Sequence, residues 1–549
     1  MVSGLLALVA ALGFSTTAQA SSRHRAPHRP TPVASLAPPI PAGAVRWYVR
    51  PAAAPLSIAA ENAQTGTNAW RLPGGGFAGR RRGAIDAYVS NQAPLPGERL
   101  NVYVNAPGAA VVKLRIFRIG WYGGTGGRLE LASGPLALVA QPGCEHSIVS
   151  GLTECDWHST LSIVLPRYLP SGVYLVRANA SDGAQTDAMF ILRPATPPAI
   201  LVQIPVATYE AYNFWGGDSL YPDGSLVSGA GGGTQGYEVS LDRPYETETG
   251  AGEFLKREVA LVRFMERLGY PVGYTADVSV ATEPSQVRGV HVLIDSGHSE
   301  YWSQRQYEAF MQAREHGTSL LFISSNTMGW RVRYSPAGPD SSERGRPGHI
   351  ITSYKQGEAR DPDTDEPTGL FPLGGAPLAG SAPDGCITPR TSPVGQPDYI
   401  YFGWRPNRQL KPRWLFAGSG LSARSVIAGI SGYELDQRSP FTPPDTQVIG
   451  ESVGARCRAV THTGEVAETT LFTAPSGALV FATGTMGWLY GLEPIPGAAA
   501  NMRPTRSAAV VRMTENVLAR ALADSRRVFA ARRAAARAAA RYARRRSPR

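Results

Sequence analysis

Residues Val290–Trp302, VHVLIDSGHSEYW, carry the decisive signal in this sequence. Val290 to Asp295 has the character of a buried strand, and it runs through Ser296–Gly297 into His298, Glu300, Tyr301 and Trp302. A helix is predicted at once afterwards, over Ser303–His316. Open α/β sheets take their ligands outside the carboxyl ends of their strands. A His-x-Glu pair held at such a rigid end suits metal or acid–base chemistry.

Outward from this tip the pattern repeats. ILVQIP (200–205), PVGYTADV (271–278), SLLFIS (319–324) and ALVFATGTMGW (478–488) read as further buried strands. Helical segments are predicted over Glu253–Leu268 and, last, Ala508–Ala523. The alternation signals βαβ units and a parallel sheet. β-rich, Gly/Pro-rich insertions occupy about 331–448. Upstream, AIDAYVS, RLNVYVNA, VVKLRIFRIG, LSIVLP, GVYLVRAN and AMFILR alternate and are punctuated by Gly, Pro and Asn, as in an immunoglobulin-like or fibronectin-like β-sandwich. The reading divides the chain into a signal peptide (1–20), a Pro/Ala-rich disordered linker (21–55), a β-sandwich (56–195), an α/β domain (196–525) and an Arg/Ala-rich tail (526–549).

At 549 residues the chain is long enough for several cores. The apolar run Leu5–Phe14, followed by Ala18 and Ala20, predicts export with cleavage after Ala20. It is too short to span a bilayer comfortably, and no other segment approaches transmembrane length. A secreted or periplasmic location follows. Four cysteines suit that compartment, with Cys144–Cys155 and Cys386–Cys457 as the natural pairs. The two other pairings stay compatible with the sequence. The net charge of +11 is concentrated: ten arginines and no acid lie in 526–549, leaving about +1 elsewhere. Such a run is usually a solvated tail, so nucleic acid is not expected as a partner. Contact with an anionic surface through an Arg-rich helix is the rival reading.

Three strand-end loops gather candidate groups. The first strand leads into YEAYNFWGGDSLYPDG, which offers Tyr209, Tyr212, Asn213 and Tyr221. The third offers His298 and Glu300, and the next places Asn326 at its end. Phenol and carboxylate oxygens suit a hard cation such as Fe(III). The bland reading is that Tyr and Trp cap the core and Asn326 forms a turn. Lys355 and Glu434, candidates for a cation and a base, read by themselves as surface charges. No GxSxG elbow or P-loop is present, and GAGGGTQG (229–236) reads as a flexible loop.

The succession RIGWYGG (118–124), SGVYLVR, TYEAYNFWGG, SLDRPY, GEFLKRE, RLGYPVGYTADV, GHSEYWS, SSNTMGWRVR and GYELD (432–436) resembles the large (beta) subunit family of N,N-dimethylformamidase, from about Trp47 to Ala523. The resemblance implies a glutamine-amidotransferase-like α/β domain and a mononuclear ferric ion acting as a Lewis acid. By motif it implies Tyr212 and Glu300 as metal ligands, with Tyr174 of SGVYLVR preferred as the second tyrosine and Tyr221 in reserve. It assigns His298, Asn326, Lys355 and Glu434 to catalysis on a small amide-like substrate. The family's enzyme works with a small subunit, which this sequence does not evidence, and lacks an export signal. Homo-oligomerisation is compatible with the sequence. The competing classes are a carbohydrate-active enzyme using Asp295, Glu300 and Glu434 in an aromatic cleft, and a non-catalytic binder of a cell-surface polymer.

Overall fold

Strand Arg99–Asn105 buries Leu100, Val102 and Val104 and turns the intervening side chains outward, the period-two pattern of a half-buried sheet. It pairs with Asp86–Val89 and Ser159–Val164. A second antiparallel sheet runs in the order Val45–Trp47, Gly127–Ser133, Val111–Ile119, Gly172–Ala180, Gln185–Leu192. The two sheets share one apolar core, with Val102 and Val104 meeting Leu114, Ile116, Tyr174, Val176 and Phe190. These coordinates are a computed structural model, which describes residues 40–49, 51–72, 84–222, 235–246, 250–336, 346–387, 401–454, 467–494 and 506–546.

The predicted leader and residues 21–39 of the predicted linker lie outside the described residues. At the other end that linker shortens, because Val45–Trp47 pairs with Gly127–Ser133 as an edge strand of the sandwich. The Cys144–Cys155 bond is present, closing a small excursion in which Glu145–His146 pairs with Thr153–Glu154. The side chain of Cys386, and Cys457, lie outside the described residues.

Strand Gly172–Ala180 is buried on both faces. Tyr174 and Val176 face the sandwich core, whereas Val173 and Leu175 join Phe117, Ile119 and Met189 in the core of the following α/β layers. A buried ion pair ties the two parts: Arg118 donates to both carboxylate oxygens of Glu266, at 2.8 and 2.7 Å.

The α/β sheet begins with parallel strands β1 (Ile200–Ile204), β2 (Val272–Ala276), β3 (Val292–His298), β4 (Ser319–Ser325) and β5 (Leu479–Ala482). Their spatial order is β2-β1-β3-β4-β5, and four antiparallel strands extend the sheet beyond β5. Helices α1 (Val206–Ala211), α2 (Val259–Arg267), α3 (Asp277–Thr282), α4 (Gln304–Glu315) and α5 (Ala508–Arg546) accompany it. Residues of α2 and α5 pack on one face, with Ile200, Val202 and Ile294, and those of α4 on the other, with Leu293, Leu320 and Phe322. The winding direction reverses between β1 and β3, and such switch points are where doubly wound sheets open a ligand crevice.

Helix α4 matches its predicted span: Ser303 caps it, accepting from the Gln306 amide in a capping box. The predicted helix Glu253–Leu268 is interrupted. Only Phe254–Lys256 turns as a 3-10 segment before α2, and Arg257 leaves helical geometry. Its guanidinium pairs with Glu253 and reaches Tyr433. The last helix does not stop near Ala523. It continues to Arg546, because Ala and Arg are strong helix formers and no Gly or Pro intervenes.

Burial within these layers raises several carboxyl groups: Glu130, Glu210, Asp277, Asp295 and Asp436 to about 7, and Glu258 to about 8. An acid that holds its proton more tightly when folded loses stability as pH climbs from its unfolded to its folded pKa. His349 acts in the same sense. Burial pulls it down, but Asp242 and Glu154 outweigh this and bring it to about 9, so its contribution fades as pH rises through that value. The urea midpoint is therefore expected to be higher near pH 5.5 than at pH 9. A midpoint that rises over this interval would contradict the burial of these groups.

Candidate metal centre

The chain leaves β3 through Gly297, whose φ is +72°. A Cβ there would stand 1.6 Å from Glu258 Oε1, so glycine alone lets the strand turn and present His298 and Glu300. Gly297→Ala is expected to cost about 3 kcal/mol or more, from conformational strain plus the clash. Gly183→Ala, at φ +91° with nothing within 4 Å of the added carbon, should cost only about 1 kcal/mol. Denaturant unfolding of the two variants makes the comparison, and equal costs would refute the clash.

The Glu300 amide donates to Thr208 Oγ1 of α1, which pins the β3 tip against the element that follows β1. Tyr212 closes α1, and its hydroxyl donates to Glu300 Oε2 at 2.7 Å. Tyr221, farther along the same loop, reaches Glu300 Oε1 at 2.8 Å and the Tyr212 hydroxyl at 2.7 Å. The two phenol rings stack with centroids 4.3 Å apart. Three oxygen donors thus converge from two adjacent strand ends. Trp330 Nε1 also donates to Glu300 Oε1, at 2.8 Å.

His298 is fully buried beside this triad. Its Nε2 lies 3.2 Å from Glu300 Oε2, 3.2 Å from the Asn326 amide nitrogen and 3.9 Å from Glu434 Oε1. Its Nδ1 lies 3.2 Å from the Tyr433 hydroxyl. Arg257 can only donate to the Tyr433 oxygen, which leaves the Tyr433 proton for His298 Nδ1. A neutral imidazole then carries its proton on Nε2, and an amide that turns its oxygen there completes the network. Lys355 Nζ sits 3.2 Å above the centre of the Tyr221 ring. Asn326, Met328 and Lys355 all have left-handed backbones, with φ of 53°, 61° and 51°. Such strain in non-glycine residues gathers at functional sites.

Electrostatics separate these groups. Burial, reinforced by Glu300, pushes both Tyr212 and Tyr221 well above the usual phenol range. Burial would raise Glu300 as well, but His298, Lys355 and Tyr212 outweigh it and bring it to about 2. Lys355 is lowered to about 8 by burial, against the pull of Glu300.

Tyr174 does not join the triad. Its hydroxyl donates to the Pro170 carbonyl at 2.7 Å, and its ring stacks on Phe190 inside the sandwich. Strand alternation turns it away from the α/β layers, and a hydroxyl bonded to backbone just upstream pins the corner of many Greek-key sandwiches. Tyr221 stands where Tyr174 was expected. Tyr209 donates instead to Glu258, and Asn213 holds loop backbone through Pro244, Trp215 and Glu246. Asp295 lies beneath the site, accepting from Gln203, Ser299 and Ser324, so it does not pair with Glu300 across a cleft. Trp330, Tyr433 and Arg257 escaped the sequence reading, although each lies in a segment that carries the family resemblance.

Comparison with known proteins decides the family. The profile described as N,N-dimethylformamidase beta subunit-like, C-terminal, matches residues 113–502. The chain belongs to this family. The match begins in the strand Val111–Ile119, ends before α5, and includes Tyr212, Tyr221, His298, Glu300, Asn326, Lys355 and Glu434. No curated protein matches the chain. Among solved structures, a Paenibacillus sp. cycloisomaltooligosaccharide glucanotransferase complexed with cycloisomaltoheptaose is similar at 7% identity, with a TM-score of 0.16. The alignment covers 59% of this chain and 62% of that one, and a likeness so slight carries no argument. The fold is mixed α and β, and among the described residues no helix is long and apolar enough to cross a membrane.

Proposed function

We propose that this dimethylformamidase beta-like chain hydrolyses an amide or related C–N bond at a site built to hold one hard cation, iron(III) by family resemblance. The convergence of Tyr212, Tyr221 and Glu300 oxygens within hydrogen-bond distance of one another carries the reading. The donor set fits such an ion, because buried phenolate and carboxylate oxygens favour hard, highly charged metals. When bound, the ion supplies a Lewis acid that polarises a carbonyl and acidifies water.

The remaining steps fall to the protein's own groups. His298 holds a proton at Nε2 and delivers it to the departing nitrogen. Glu434, whose Oε1 lies 3.9 Å from His298 Nε2, takes the proton of the attacking water and passes it to Nε2, which restores the imidazole. Asn326 and Lys355 donate to the oxygen on which negative charge develops, and the burial of Lys355 strengthens its bond. Trp330 fixes the Glu300 carboxylate.

The β2-β1-β3-β4-β5 order supports a glutamine-amidotransferase-like reading of the α/β layers, and the Tyr174 corner supports an immunoglobulin-like or fibronectin-like sandwich. The Cys144–Cys155 bond supports export to an oxidising compartment. Elemental analysis of the purified chain, with its visible spectrum, tests the metal reading. About one iron per chain with a phenolate-to-iron band is expected. A colourless protein that cannot be loaded with iron would overturn it.

A further inference from the structure

From Arg533 to Arg541 every residue of α5 is exposed, so this stretch of helix stands off the fold. Arg533, Arg537, Arg541 and Arg544 recur at spacings of four, four and three and therefore line one face. No acidic residue follows Asp524 in the sequence to offset them. At the root of this stretch, Phe529 packs on His291 with rings 5.0 Å apart, and Arg532 donates to the Glu315 carbonyl at 2.9 Å. A groove of about 620 Å³ opens beside these contacts. Val287, Ala313 and Phe529 supply apolar lining, while Arg288, Arg305 and Arg532 outnumber its one carboxylate, Glu308.

We propose that the arginine face of α5 and this groove dock the protein on an anionic lipid surface. The stripe would meet headgroup phosphates and the groove would accept an acyl chain. Planar guanidinium forks match phosphate oxygens, and the groove has the size of an ordinary apolar ligand site. The Cys144–Cys155 bond favours lipid over nucleic acid, because in oxidising compartments clustered phosphates belong mainly to membrane surfaces. The opposite face of the free helix is mostly alanine, so attachment is electrostatic and shallow, and it weakens with salt.

Co-sedimentation of the full chain with vesicles tests this. Binding is expected to vesicles of equal parts phosphatidylglycerol and phosphatidylcholine, to be lost at high salt, and to be absent with phosphatidylcholine alone. The variant R533Q/R537Q/R541Q/R544Q keeps good helix formers on an exposed face, and its affinity should fall at least about a hundredfold. Its circular dichroism, unfolding midpoint and iron content should match the parent, which separates this test from that of the metal site. Equal binding to both vesicle types, an unaffected quadruple variant, or tighter binding to duplex DNA than to anionic vesicles at the same salt would overturn the proposal.

Discussion

On the proposed iron site, Tyr221→Phe is expected to abolish most of the metal binding and the visible absorption that goes with it, while Tyr174→Phe leaves both intact. The Tyr221 hydroxyl touches both other members of the triad, so removing it deletes one donor and loosens two. Loss of groups one bond beyond a metal's ligands typically costs about 10–100-fold in affinity, and loss of a ligand should exceed this. Glu300→Gln should match Tyr221→Phe, because a neutral amide cannot supply the anionic oxygen on which both phenols converge. The Tyr174 hydroxyl serves only the Pro170 carbonyl, so its removal should cost about 1 kcal/mol of stability and no metal. Metal titration of the three variants reads the result. Iron retained by Tyr221→Phe and lost by Tyr174→Phe would restore the ligand set expected from sequence and refute the one drawn from geometry.

Glu266→Ala is expected to destabilise the fold by about 3–5 kcal/mol. Glu266 and Arg118 are both fully buried, and Arg118 has no water to turn to when its carboxylate is removed. Asn62 Nδ2 also donates to Glu266, so the same carboxylate holds the N-terminal helix Ile58–Asn62. A charge left unpaired there is far costlier than one at the rim. Glu451→Ala, which breaks an exposed pair with Arg405, should cost less than about 1 kcal/mol. Replacing both Arg118 and Glu266 by Leu should recover much of the loss, since the desolvation of both charges disappears with them. Urea unfolding measures all three, and a small effect of Glu266→Ala would show that sandwich and α/β layers are held chiefly by apolar contact.

Much of the site was legible before any coordinates. Strand-end positions are local properties: an apolar run, then a glycine, then polar residues. His298, Glu300, Tyr212 and Asn326 were therefore singled out as candidates, and the helix after Ser303 was expected directly behind the tip. Lys355 and Glu434 looked like surface charges, and only the family resemblance recommended them. Both are buried against the same cluster, Lys355 over the Tyr221 ring and Glu434 beside the carboxyl end of β4. Trp330, Tyr433 and Arg257 act through other side chains, so neither spacing nor residue type marked them. The structure parts Tyr174, the residue preferred from sequence, from Tyr221 for a definable reason. Tyr174 lies in SGVYLVR, a segment that carries the resemblance, whereas Tyr221 lies just past TYEAYNFWGG, and an alternating strand buried on both faces offers no sequence sign of which core each side chain enters.

The sequence by itself determined the parallel-strand architecture, the tip at Gly297–Glu300 and the concentration of charge in the final segment, because each depends on neighbours a few residues apart. Tertiary structure alone decided which phenol meets Glu300, how His298 is held on both nitrogens, and where the helix that carries the arginine run leaves the body. Those outcomes depend on residues tens to hundreds of positions apart, brought together by the crossover from β1 through β2 to β3 and by the packing of α5, and no local pattern encodes such distances.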